Sequence, residues 1–154
     1  MTSSNRTGAL LASLALERRL RCEPVALEMA IPRFSSNDIA DAERILVDVE
    51  LKTSARARVE TAFHFYMRLM LRCDDAALAT KVLNAQTAVL NNASDHALIR
   101  LEGERVQHQR WCLLEYCRRG DVDRAVNALR KSIEENLSSL LTSHGEPIPK
   151  TSSA

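Results

Sequence analysis

Glycine and proline are scarce in this chain, with four of each among 154 residues. Few positions can break a helix or set a tight hairpin turn, so long helices are favoured. Aromatic residues make up only 4%. The apolar residues are mainly leucine, alanine and valine, a set that suits helix-on-helix packing better than a β-sandwich. No alternating pattern marks a strand and no repeat of fixed period recurs. No apolar run reaches membrane-spanning length. The amino-terminal stretch lacks a long apolar core followed by a small-residue cleavage site. A cytoplasmic protein without membrane contact is expected. The formal net charge is +1 with no large basic block, so no direct nucleic-acid binding is expected. The cluster Arg18, Arg19, Arg21 reads as a solvated helix face. The four cysteines, Cys22, Cys73, Cys112 and Cys117, form no CxxC pair and read as reduced packing residues. No nucleophile motif, glycine-rich phosphate loop or metalloprotease signature occurs, so an enzyme is not expected.

What is present is helical periodicity in a chain of single-domain length. The expected fold is all-α, an antiparallel bundle of six to seven helices over residues 9–143, with a flexible segment at 1–8 and a disordered tail at 144–154. A first helix is expected from Ala9 to Cys22. Pro24 suits the first turn of a separate short helix, Glu23 to Ala30, that stops near Pro32. Ser35 and Asp38 have capping-pair spacing before a helix with Ile39, Ala42, Leu46 and Val49 on one stripe. Ser54 to Cys73 carries Val59, Phe63, Tyr66, Met70 and Cys73 at alternating intervals of four and three, one buried stripe. Asp74 and Asp75 cap the next helix, with Leu78, Val82, Ala85 and Val89. A long helix follows from Ser94 to Arg118, and a last one from Val122 to Ser143. Gly120 and Asp121 separate these two, glycine for a left-handed C-cap and aspartate for the orphan amides of the next first turn.

The functional candidates are polar residues that interrupt apolar faces. Glu60 and His64 lie four apart, with Met67 and Leu71 continuing that face. They either look into a cavity or form a surface ion pair, with each other or with Arg68. Arg110 is flanked at helical spacing by Val106, Leu113 and Leu114. Arginine is seldom buried without a partner, and its planar guanidinium suits a carboxylate. That carboxylate is either Glu60 or an acidic ligand. Ser132 sits beside Leu129 and Ile133 near the apolar face of the last helix.

Three segments carry a family resemblance. Arg110 to Leu141, with its Gly120-Asp121 turn, resembles the last two helices of the FCD effector domain of FadR-type GntR transcription regulators. Glu60-Thr61-Ala62-Phe63-His64 resembles that domain's Asp-x-x-Phe-His helix. Arg19-Leu20-Arg21-Cys22-Glu23-Pro24-Val25-Ala26 resembles its Arg-x-x-x-Glu-Pro-x-Ala opening. The resemblance spans roughly Leu16 to Leu141. It implies a ligand-sensing helical bundle, probed at its centre by Arg19, Glu60, His64, Arg110 and Ser132. Many members hold a divalent metal through one Asp and three His. By the resemblance those positions are Glu60, His64, Arg110 and Ser132, so a fixed cation stands where an imidazole would ligate, and no metal cofactor is expected. A small-molecule carboxylate effector and a homodimer are the implied partners. About eighteen residues precede Arg19, whereas a winged-helix domain needs roughly 50, so a sensor without its DNA-reading half is expected. The alternative is a helical protein-interaction or dimerisation scaffold without ligand, since the Gly120-Asp121 hairpin also resembles tetratricopeptide-type hairpins.

Overall fold

A computed structural model describes the backbone of residues 2–143 and the side chains of 6–142. Among the described residues there are seven α-helices and no strand. They are α1 (Thr2–Ala30), α2 (Ser36–Leu51), α3 (Ala55–Met70), α4 (Ala76–Asn92), α5 (Asp95–Leu101), α6 (Glu104–Arg118) and α7 (Val122–Ser143). Single 3-10 turns at Ile31–Arg33 and Leu71–Cys73 follow α1 and α3. The expected tail, 144–154, lies outside the described residues.

Capping chemistry places most boundaries. Ser35 and Asp38 form a reciprocal capping box at the start of α2. Ser54, Asp75 and Ser94 each accept from the backbone amide three residues on, opening α3, α4 and α5. Between α6 and α7, Gly120 has φ 70°. Its amide donates to Cys117 O at 3.1 Å and that of Asp121 to Tyr116 O at 2.9 Å. This pair is the Schellman arrangement, which needs a left-handed residue at the glycine.

Two boundaries differ from expectation. The two helices expected at Ala9 to Cys22 and Glu23 to Ala30 are one continuous helix that starts at Thr2, so Pro24 lies inside α1. An interior proline loses one hydrogen bond and crowds the preceding turn, costing about 3 kcal/mol. Burial of Cys22, Ala26, Leu27 and Ala30 around it offsets that cost. Conversely, the helix expected from Ser94 to Arg118 is broken at Glu102-Gly103. Leu98 and Leu101 face the core before the break; Val106, Leu113 and Cys117 do so after it. A continuous helix that buried Leu98 and Leu101 would bring Arg105, His108 and Cys112 inward. The interruption slips the phase by one residue and keeps the apolar set inside.

The long α1 packs against α4 and α7, with α2 and α3 paired beside them and α6 closing against α7 and α2. At the α1–α4 crossing, a Cβ on Gly8 would stand 2.8 Å from Asn92 O, so only glycine permits this approach. The core includes Leu16, Leu27, Leu46, Phe65, Leu69, Leu98, Leu114, Leu129, Ile133 and Leu140. Among the described residues no helix is long and apolar enough to cross a membrane.

Candidate functional site

The bundle interior is not purely apolar. Arg19, Glu23, Gln86, Arg110 and Ser132 are all buried. Arg18 and Arg21 are exposed, whereas Arg19, expected on the same solvated face, is 1% exposed. Its guanidinium is held by Glu23, one turn on, at 2.5 and 2.9 Å. Gln86 on α4 donates to the same carboxylate at 3.1 Å. The guanidinium also lies 4.7 Å from the Phe63 ring centre and 5.2 Å from that of Tyr66, a cation–π sandwich on α3. Burial alone would lower the pKa of Arg19; the charge and hydrogen bonds of Glu23 more than reverse this, so it is raised. Arg110 is near enough to push against it.

Arg110 on α6 is 4% exposed. Its bidentate partner is Glu102, at 2.9 Å from Nη1 and 2.7 Å from Nη2. Nη1 also donates to Gln107 at 3.0 Å. Nε is buried and makes no hydrogen bond, although the Tyr66 hydroxyl lies close enough to the guanidinium to act on its charge. Desolvation would lower the pKa, but Tyr66 and Glu102 outweigh it and hold the guanidinium above its ordinary value. Arg58 on α3 approaches Glu102 from the other side at 3.2 Å and donates to Val49 O at the end of α2 at 3.1 Å. Two buried guanidiniums and the half-buried Arg58 therefore face two carboxylates. Ser132 on α7 donates to Gln109 at 3.4 Å, and Gln109 donates to Glu135 at 2.8 Å.

Arg110 and Ser132 are thus interior as expected, and Arg19 is interior as the family resemblance implied and not solvated as the charge cluster suggested. Glu60 and His64 are not. Both are exposed on the outer side of α3, and neither has a hydrogen bond or ion pair among the described residues. The inward positions four apart are Val59 and Phe63, one residue earlier and about 100° round the helix. The apolar stripe set the phase, because turning Glu60 and His64 inward would expel Phe63 and Tyr66. The expected rival partner of Arg110, Glu60, is replaced by Glu102. The signal for Glu102 was the phase slip at Gly103, the one strong breaker in that stretch.

The residues present do not fit the metal that the resemblance implies. Val59 and Phe63 offer no donor, Arg110 repels a cation, and among the described residues no three His, Cys, Asp or Glu side chains are grouped to hold one. None of the four surface grooves described is lined by Arg19, Arg110 or Ser132.

The sequence matches the family model of the FCD domain over residues 15–135. It matches no curated protein. Among solved structures it is similar to a transcriptional regulator (GntR family member) from Pseudomonas syringae pv. tomato, with a TM-score of 0.73 and 20% identity. The alignment covers 86% of this chain and 56% of that one, so this chain spans a little over half of that regulator. At such identity the likeness is one of fold.

Proposed function

We propose, starting from the fact that the chain belongs to the FCD domain family, generally the effector-sensing domain of GntR-family regulators, that it senses a small organic acid captured at Arg110. The observation that carries this reading is the cationic surroundings of Glu102. The buried Arg110 and the half-buried Arg58 both bind this one carboxylate, and Nε of Arg110 is buried without a hydrogen bond of its own. A buried unmet donor costs roughly 1–3 kcal/mol, and an acid oxygen on Nε recovers that. In this reading Arg19, near enough to Arg110 to act on its charge, and Ser132, which donates to Gln109, are the other interior polar groups available to a bound acid. Glu60 and His64, facing outward, take no part in ligand contact. A ligand that favours one packing of the helices would bias a homodimer and any DNA-reading partner domain.

The test is a thermal-shift screen of mono- and dicarboxylic acids on the wild type and Arg110→Met. Stabilisation is expected to follow mass action in the wild type and to vanish in the variant. An equal response from both would sink the reading. One observation favours a second reading, a helical scaffold without ligand: Glu102 already holds Arg110 by two parallel hydrogen bonds. No response to any acid in the wild type would establish the scaffold in place of the sensor.

A further inference from the structure

We infer that Glu102 is the built-in occupant of an anion subsite made by Arg58 and Arg110, and that an acid ligand acts by displacing it and releasing the joint between α5 and α6. The effector half of this statement rests on the function proposed above; the subsite itself does not.

The position of Glu102 is unusual for a buried charge. It is the C-cap of α5, a helix of seven residues, with φ −106° and ψ 45°, outside helical geometry. Gly103 follows as the N-cap of α6 and supplies no side-chain cap. The side chain is 3% exposed, yet the residue as a whole is half-buried, because its backbone lies at the surface. Its backbone at the surface, at a helix end, puts this carboxylate one side chain's length from water. Glu23, the other interior carboxylate, has no such exit: it is wholly buried in the middle of α1.

The surroundings of Glu102 belong to the receptor side of an anion site. Arg110 offers two parallel donors and Arg58 a third, the geometry that recognises a carboxylate in general rather than glutamate in particular. Removing such an anion without replacement leaves a buried cation uncompensated, which holds the joint closed. Exchange for the carboxylate of a ligand conserves the charge balance and the hydrogen bonds, so that penalty disappears. Nε of Arg110 remains as a donor that Glu102 does not reach and a second ligand oxygen can.

The same contacts define what release would change. Arg58 ties Glu102 to Val49 O at the end of α2. Gln107 ties Arg110 to Leu46 O, also on α2, at 2.9 Å, and to Glu50 at 3.2 Å. Displacement of Glu102 therefore removes the ionic tie of the end of α5 to α3 and α6, leaving the apolar packing of Ala97, Leu98 and Leu101, while the ligand keeps Arg58 and Arg110 in place. The joint, not the bundle centre, is the moving part.

Acetate is the probe. Glu102→Ala opens the subsite, and sodium acetate titrated against sodium chloride of equal ionic strength should restore much of the melting temperature that the substitution removes, by mass action. The wild type, in which Glu102 competes for the same donors, should gain much less. An equal acetate response in variant and wild type would overturn the subsite. Should Glu102→Ala not fold, Glu102→Ser, which also vacates the subsite, takes its place with the same expectation and the same overturning result. The displacement step is read separately. Any acid found to stabilise the wild type through Arg110 should bind Glu102→Gln about tenfold more tightly, because the internal competitor is weakened. It should also speed amide exchange at 102–106 in the wild type. Unchanged affinity and unchanged exchange would overturn displacement while leaving the effector reading intact. Acetate rescue of Glu102→Ala with no acid stabilising the wild type would instead retain the subsite and end both the effector reading and displacement.

Discussion

Two buried arginines in this bundle solve one electrostatic problem in different ways. Arg19 finds its carboxylate four residues along the same helix, and Gln86 and two aromatic rings complete the cage. Arg110 finds its own eight residues back, across a break between helices. The first pair is held by α1 itself. The second lasts only while the α5–α6 joint keeps its shape. A buried ion pair on one helix behaves as scaffold; one that spans a joint can report on that joint.

Substitution of the two carboxylates sharpens this contrast. Glu23→Ala leaves Arg19 uncompensated with no route to water and should cost about 3–5 kcal/mol, read by urea unfolding. Glu102→Ala should cost less, about 2–3 kcal/mol, because Gln107 still bonds Arg110 and solvent enters at the exposed joint. Equal losses would break the comparison and make both pairs structural.

Asp38 offers a third buried carboxylate as reference. It takes Arg68 at 2.9 Å and Arg72 at 3.0 Å and closes the cap of α2. Desolvation would raise its pKa, but hydrogen bonds from the Ser35 amide, Arg72, Arg68 and the Ser35 hydroxyl hold it well below the usual carboxylate range. Its folded value lies below the unfolded one, so the stability it contributes is complete above the unfolded pKa of about 3.9 and is lost as pH falls through and below it. Asp38→Asn should destabilise at neutral pH, with the gap to wild type narrowing below about pH 4. A gap independent of pH down to acid unfolding would show that the charge of Asp38 contributes nothing.

The smallest effects are expected on the outer face of α3. Glu60→Ala and His64→Ala should each change stability by less than about 0.5 kcal/mol and leave any acid response unchanged. Metal analysis of protein purified without chelator should find no stoichiometric transition metal that depends on His64. A metal lost on His64→Ala would show that α3 turns its other face inward in solution.

The α3 helix also shows how far the sequence could be read. It carried two incompatible phases. The stripe Val59, Phe63, Tyr66, Met70, Cys73 demanded one face inward, and the family motif on Glu60 and His64 demanded the neighbouring one. Periodicity prevailed, since five apolar side chains outweigh two polar ones in transfer free energy. Arg110 was legible as buried from Val106, Leu113 and Leu114, and Ser132 from Leu129 and Ile133. Their partners were not. Glu102 lay within an expected continuous helix, and its approach to Arg110 depends on a break whose only sequence signal was Gly103 and the phase slip beside it. Pro24 misled in the opposite sense. Its local preference for a first turn is real, but it yields to the burial of the residues around it.

The all-α class, the caps of α2 to α5, the Gly120-Asp121 turn and the buried stripes follow from local chemistry, namely which residues can close a helix end and which repeat at helical spacing. Those interactions span only a few residues, so the order of residues alone determines them. Which carboxylate neutralises Arg110, whether α1 runs through Pro24, and which face of α3 meets the core depend on segments tens of residues apart competing for one interior. Only the tertiary structure decides these, because burial and charge pairing are properties of the whole packing and not of any one stretch of chain.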